Sequence, residues 1–295
     1  MNVIRKVSIS TISLLLALVG CVSSKSATEI PARSTSQDRL VSNLQATTIS
    51  SCSARKTPIW SDSFDKENWN VNWHIRKSQS WGLGNSQVIS DSSRQFSKVL
   101  KVNYASGSAS PLSLIEYGSP IGGTQFFADL GLPPQDSLCL SYYVRFSKDF
   151  NFVKGGKLPG LFGGTVNDGR KIPDGTNGFS TRFMWRRNGD GEVYAYLPNS
   201  KEHGTSIGRG KWRFQPGVWH HLEQNVILNQ PGRQDGQVSV WLDGKPVLNA
   251  SELTFRTTSS LKIEGILFST FFGGGDPSWA TPKPVYTEFA NFSVY

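Results

Sequence analysis

From Ile59 onward the chain alternates apolar and polar positions in short runs, broken by Gly, Pro, Asn and Asp. The runs Lys98–Tyr104, Ser137–Phe146, Trp219–Leu228, Gln237–Leu242, Ile263–Phe271 and Tyr286–Val294 are rich in β-branched and aromatic residues. A two-residue period of this kind is the signature of strands with one buried face. No window sustains a 3.6-residue period, and no internal repeat appears. The pattern predicts one all-β sandwich of two antiparallel sheets over residues 58–295.

Two of the runs form a predicted hairpin. Phe179–Arg187 and Glu192–Leu197 flank Asn188-Gly189-Asp190-Gly191, a sequence with turn chemistry. Alternation puts Ser180, Arg182, Met184 and Arg186 on one face of the first strand, and Tyr194 and Tyr196 together on one face of the second. Whether the two polar faces coincide depends on the loop, because a one-residue slip moves every side chain to the other face. A three-residue loop, Asn188–Asp190, would pair Arg187 with Gly191, Arg182 with Tyr196 and Met184 with Tyr194. That register gathers a Ser/Arg/Tyr/Tyr cluster, which Lys157 is placed to join from the Gly/Pro-flanked segment GGKLPGL upstream.

GGKLPGL, followed by S-x-R and then Y-x-Y after a turn, resembles polysaccharide lyase family 14, the alginate and polyuronate lyases. The resemblance runs from about Trp60 to the C-terminus and implies a β-jelly-roll fold. PGVWHHLEQNVILN followed by GQVSVWLDGKPV is likewise similar to consecutive strands of concanavalin-like jelly rolls. For activity the resemblance implies elimination at a uronic-acid residue, with Lys157, Ser180, Arg182, Tyr194 and Tyr196 in the cleft and no cofactor.

These residue types suit that chemistry. Elimination across C4–C5 requires the C6 carboxylate to be neutralised, a base to remove H5, and an acid to protonate the departing O4. Arg182 offers a fixed charge in a bidentate fork, and Ser180 a further hydrogen bond. A tyrosine beside Arg and Lys is expected to have its phenolate favoured. The working assignment is therefore a tyrosine for proton transfer, with Lys157 and Arg182 stabilising the intermediate; Tyr194, Tyr196 and Lys157 all stay open as the base. A non-catalytic carbohydrate-binding module on the same fold is the alternative reading.

The N-terminus changes the picture of location. Arg5 and Lys6 precede an apolar run too short to span a bilayer, which ends in Leu18-Val19-Gly20-Cys21. Residues 1–21 are thus expected to be a signal peptide with a lipobox, and Cys21 the lipidated residue of an exported, membrane-anchored protein. Residues 22–57 are Ser/Thr-rich and read as a tether, with a short helix over 38–45. Cys52 and Cys139 then form an even pair in an oxidising compartment, so a disulfide between them is an expectation beside two free thiols.

The formal net charge is +9, concentrated between Lys154 and Arg213, where eleven basic residues face five acidic ones. A one-sign groove suits an anionic polysaccharide. Export and the lack of a nucleic-acid module argue against nucleic acid, and a monomer is expected.

Three competing motifs fail. Gly204-Thr205-Ser206-Ile207-Gly208 matches a nucleophile elbow but reads as a loop in an all-β chain. His220 and His221 are adjacent on a strand and point to opposite faces, so no metal site is expected. No E-x-D-x-x-E run supplies the paired carboxylates of a glycosidase. The glycine-rich stretch Phe271–Trp279 reads either as a cleft rim, with Trp279 or Phe272 against sugar, or as a structural turn.

Overall fold

The computed structural model describes residues 50–295 apart from positions 56, 67 and 170. The expected signal peptide with its lipobox at Cys21, the expected tether up to residue 49 and the expected short helix over 38–45 lie outside the described residues.

Fourteen strands are described: β1 (Trp60–Asp62), β2 (Ser86–Ser90), β3 (Lys98–Tyr104), β4 (Thr124–Ala128), β5 (Ser137–Phe146), β6 (Gly155–Gly164), β7 (Gly178–Arg186), β8 (Gly191–Tyr196), β9 (Thr205–Ile207), β10 (Trp219–Ile227), β11 (Gly236–Leu242), β12 (Lys245–Leu253), β13 (Gly265–Thr270) and β14 (Val285–Val294). They form two antiparallel sheets. The larger runs β12–β11–β10–β5–β14–β3–β2, with β1 also on β14; the smaller runs β4–β13–β6–β7–β8–β9. This is the expected all-β jelly-roll sandwich. One short helix, α1 (Pro111–Tyr117), was not anticipated; Ser110 caps its start and Gly118 ends it in a left-handed conformation.

The core lies between the inner faces of the two sheets. Phe179, Phe183 and Trp185 of β7 meet Leu140, Tyr142, Val144 and Phe146 of β5 there. Thr181 and Gln224 meet inside it and satisfy each other: Thr181 Oγ1 donates to Gln224 Oε1, and Gln224 Nε2 donates to the Thr181 carbonyl, each at 2.8 Å. The alternate residues Ser180, Arg182, Met184 and Arg186 therefore face outward from the smaller sheet.

GGKLPGL forms part of β6, a strand inside the smaller sheet. Pro159 lies at a register shift between Leu158 and Gly160, where its missing N–H interrupts little. Its carbonyl accepts a hydrogen bond from Tyr142 at 3.0 Å. Gly156 is needed because a Cβ there would stand 2.0 Å from the Trp185 ring and 2.5 Å from the Phe271 carbonyl.

Cys52 and Cys139 are joined in a disulfide. Cys139 sits on the outer face of the larger sheet, between the inward-facing Leu138 and Leu140. Around the bridge, Ser53 N donates to Glu223 Oε1 at 2.8 Å and Arg55 Nη2 donates to Asn225 Oδ1 at 2.8 Å. The last residues of the stretch that composition marks as a tether are thus bound to the domain.

The two cysteines lie 87 residues apart. Replacing both by Ala is expected to lower the unfolding free energy by about 2–4 kcal/mol. Because the bridge lies on the sheet away from the outward face of β7, turnover by the remaining folded protein should be unchanged. Denaturant melts with matched activity assays check both parts.

Candidate active site

The hairpin β7–β8 forms the floor of an open cleft of about 850 Å³. Its loop is three residues long, as expected, but begins one residue earlier, at Arg187–Gly189, with Arg186 N donating to the Asp190 carbonyl. Asn188 and Gly189 both adopt left-handed backbone (φ 61° and 81°), so they make the turn, and Asp190 already pairs across it. The expected pairings therefore give way to Arg182 opposite Tyr194, Ser180 opposite Tyr196 and Met184 opposite Glu192. The displacement is two residues, which preserves the faces. Arg182, Tyr194 and Tyr196 share the cleft surface as the alternation implied.

Lys157 joins them from β6, opposite Met184. Its Nζ lies 4.5 Å from the centre of the Tyr194 ring and 5.7 Å from that of Phe271. No carboxylate among the described residues approaches it as an ion-pair partner. Burial, reinforced by Arg182 and Arg186, holds its pKa well below the ordinary lysine value. Ser180 differs from expectation: it is fully buried, and its hydroxyl donates to the Asn167 carbonyl at 2.6 Å, so it supports the floor and does not line the cleft.

The phenolate expectation is reversed at Tyr194. Burial, aided by Tyr196, pushes its pKa up to about 12 against the opposing pull of Arg182 and Arg186. Its oxygen accepts a hydrogen bond from Gly204 N at 3.1 Å, leaving its own proton free for the cleft. The tyrosine is thus built to be a protonated phenol beside an amine that releases its proton easily.

Sequence reasoning passed over Glu192, which lies two residues before Tyr194 and so on the same face. It is completely buried, and its Oε1 accepts from Arg186 Nε at 2.8 Å and Nη2 at 2.5 Å. Alternation alone was enough to place it. Gln125 and Asp168 line the cleft from distant parts of the chain and carry no local spacing signal.

Of the eleven basic residues counted in the sequence, Lys157, Arg182 and Arg186 line the cleft. Arg213 is exposed and paired with Asp190 at 2.8 Å. The glycine-rich stretch divides: Phe272 is buried in the core and stacked on Phe150, whereas Phe271 and Trp279 line the cleft.

The competing motifs take structural roles. Thr205–Ile207 is edge strand β9 rather than a loop, paired with β8. His220 is buried, with Nδ1 2.9 Å from Asp243 Oδ2. His221 stacks on Tyr143 on the opposite face. Among the described residues no cluster of metal-ligating side chains occurs.

A jelly-roll sheet with cations and phenols on its outward face suits an anionic polymer. Residues 92–292 match the family Polysaccharide lyase 14, and the chain belongs to that family. It is a polysaccharide lyase. The crystal structure of the marine family-14 alginate lyase from Aplysia kurodai is 32% identical, covers 81% of this chain and 99% of its own, and superposes with a TM-score of 0.71. An alginate lyase from Chlorella virus is 24% identical over 76% of this chain and 93% of its own, at a TM-score of 0.63. The endo-β-1,4-glucuronan lyase from the fungus Trichoderma reesei shares the fold at 13% identity, covering 81% and 95%, at a TM-score of 0.54. No curated protein matches the sequence.

The buried Lys157 has a stability signature. At acid pH the amine is charged in folded and unfolded chains alike, and the folded state bears the cost of burying it. That cost lifts as pH rises from the lowered folded value toward the ordinary 10.5, because only the unfolded chain then still holds the proton. Lys157→Met is expected to raise the unfolding free energy by about 1–3 kcal/mol at acid pH. The gain should shrink across that window, and a pH series of denaturant melts would expose a constant difference instead.

Proposed function

We propose that this protein cleaves the 1,4 bond of a polyuronate, alginate first among the candidates, by β-elimination. The observation that carries the reading is Arg182, an arginine without a carboxylate partner among the described residues, beside an amine whose charging is disfavoured and a phenol whose ionisation is disfavoured. Arg182 binds the C6 carboxylate and stabilises the enolate-like intermediate. Lys157, as the free amine, removes H5. The C4–O4 bond breaks as Tyr194 passes its proton to O4, leaving a C4=C5 double bond on one fragment and a new reducing end on the other. The ammonium formed at Lys157 and the phenolate formed at Tyr194 are neighbours, and return of the proton between them resets the site.

This assignment moves the base from tyrosine to Lys157, for which the direction of both pKa shifts is the support. Tyr196 packs edge-on against Tyr194 at 5.7 Å, and Arg182 lies 5.6 Å from the Tyr196 ring centre. It orients both without a proton-transfer task. Export, lipidation at Cys21 and a monomeric state remain proposals resting on the sequence.

Incubation with polymannuronate, polyguluronate, alginate and glucuronan, followed by ultraviolet absorbance of the conjugated product, tests the reading. A rise with one polymer names the substrate; binding without a rise on any of them would favour the carbohydrate-binding alternative. Lys157→Ala and Tyr194→Phe are each expected to lower kcat by about 10²–10⁴. In the wild type, kcat should climb with pH as Lys157 loses its proton, well below the range of an ordinary lysine.

A further inference from the structure

Arg182 and Arg186 project from the same face of β7 but meet different partners. Arg186 closes directly onto Glu192. Arg182 has a neutral partner two strands away: its Nη1 donates to Ser269 Oγ on β13 at 3.2 Å, while its Nε is buried with no partner. Ser269 Oγ donates in turn to Gln125 Oε1 on β4 at 2.9 Å, and Gln125 Nε2 donates to Asp168 Oδ2 at 2.9 Å. The polarity of this chain is set by its ends. A guanidinium only donates and a carboxylate only accepts. The serine must therefore pass its own proton to the amide oxygen, and the amide must turn its nitrogen toward Asp168.

The intervening strand runs unusually close to β7 beside this arginine. Gly160 of β6 lies opposite Arg182, and a Cβ there would stand 2.3 Å from the Thr181 carbonyl and 2.5 Å from Arg182 Cα. Ser269 and Gln125 are themselves buried, so the relay is part of the sheet rather than a surface contact.

We propose that Ser269 and Gln125 are positioning residues for Arg182, forming an oriented relay to Asp168 that fixes the guanidinium while leaving its charge unneutralised. A carboxylate in direct contact would hold the side chain equally well, as Glu192 holds Arg186. It would also consume the charge that a uronate carboxylate requires. The proposal rests on the lyase reading for what Arg182 then does to substrate.

The discriminating variant is Gln125→Glu, which keeps size and shape but can ionise. Protonated, it reproduces the amide's donor and acceptor; ionised, it faces Asp168 with a like charge and offers Arg182 a counter-ion. Its kcat/KM is expected to fall about 20-fold or more below wild type at pH 8, with the ratio recovering as pH is lowered toward 5. Ser269→Ala should raise KM about 3- to 10-fold more than it lowers kcat, with no such pH dependence. Variants within twofold of wild type throughout would overturn the relay, as would a Gln125→Glu deficit that is flat with pH. Calorimetric binding of the same polymers separates this failure from that of the lyase reading. If wild type bound without forming product and Gln125→Glu still weakened binding at pH 8, elimination would fall and the relay would stand.

Discussion

Burying positive charge on the outer face of a sheet is costly unless each charge has an answer. Three cations share the floor of this cleft, and the fold answers them differently. Arg186 receives a completely buried carboxylate, Glu192, in two hydrogen bonds. Lys157 answers by giving up its proton more readily. Arg182 receives hydroxyl and amide dipoles in place of an opposite charge. The electrostatics of the site follow from this division: one cation cancelled, one whose charge is disfavoured, and one left for an anion from outside.

The smaller sheet makes that division possible by its packed inner face and by the close approach of its strands at a glycine. Its inner face packs aromatic and aliphatic side chains against the larger sheet, so the outer face cannot relax inward. Gly156 lets β6 approach Trp185 and the Phe271 carbonyl, and so brings Lys157 beside the Tyr194 ring. The opposite wall is tied together by Ser110, whose hydroxyl donates to the Gly274 carbonyl at 2.5 Å and links the start of α1 to the glycine-rich stretch that carries Trp279.

Much of this was legible in the sequence, because strands report their faces through a period of two. The strands Lys98–Tyr104 and Ser137–Phe146 run over the anticipated residues, and Arg182, Tyr194 and Tyr196 share a surface as alternation with a three-residue loop implied. The slipped hairpin register shows the limit of turn chemistry: Asn188 and Gly189 take the left-handed positions, and a sequence with four turn-forming residues does not say which two will. That Lys157 lies on a strand was not legible, because Pro and Gly mark loops and also bulged, closely packed strands. The tyrosine pKa went the other way because its neighbours' charges can be read from alternation, whereas depth of burial belongs to the finished fold. Gln125 and Ser269 were invisible because they reach Arg182 only through the order of strands across a sheet.

The bridge between Cys52 and Cys139 has a geometric consequence. It fastens the start of the described chain to the outer surface of the larger sheet, while the cleft opens on the outer surface of the smaller one. The sandwich thus has one outer surface that carries the bridge and another that carries the cleft. A pull on the chain at Cys52 is therefore taken up by a covalent link to the central strand β5 rather than by the cleft walls.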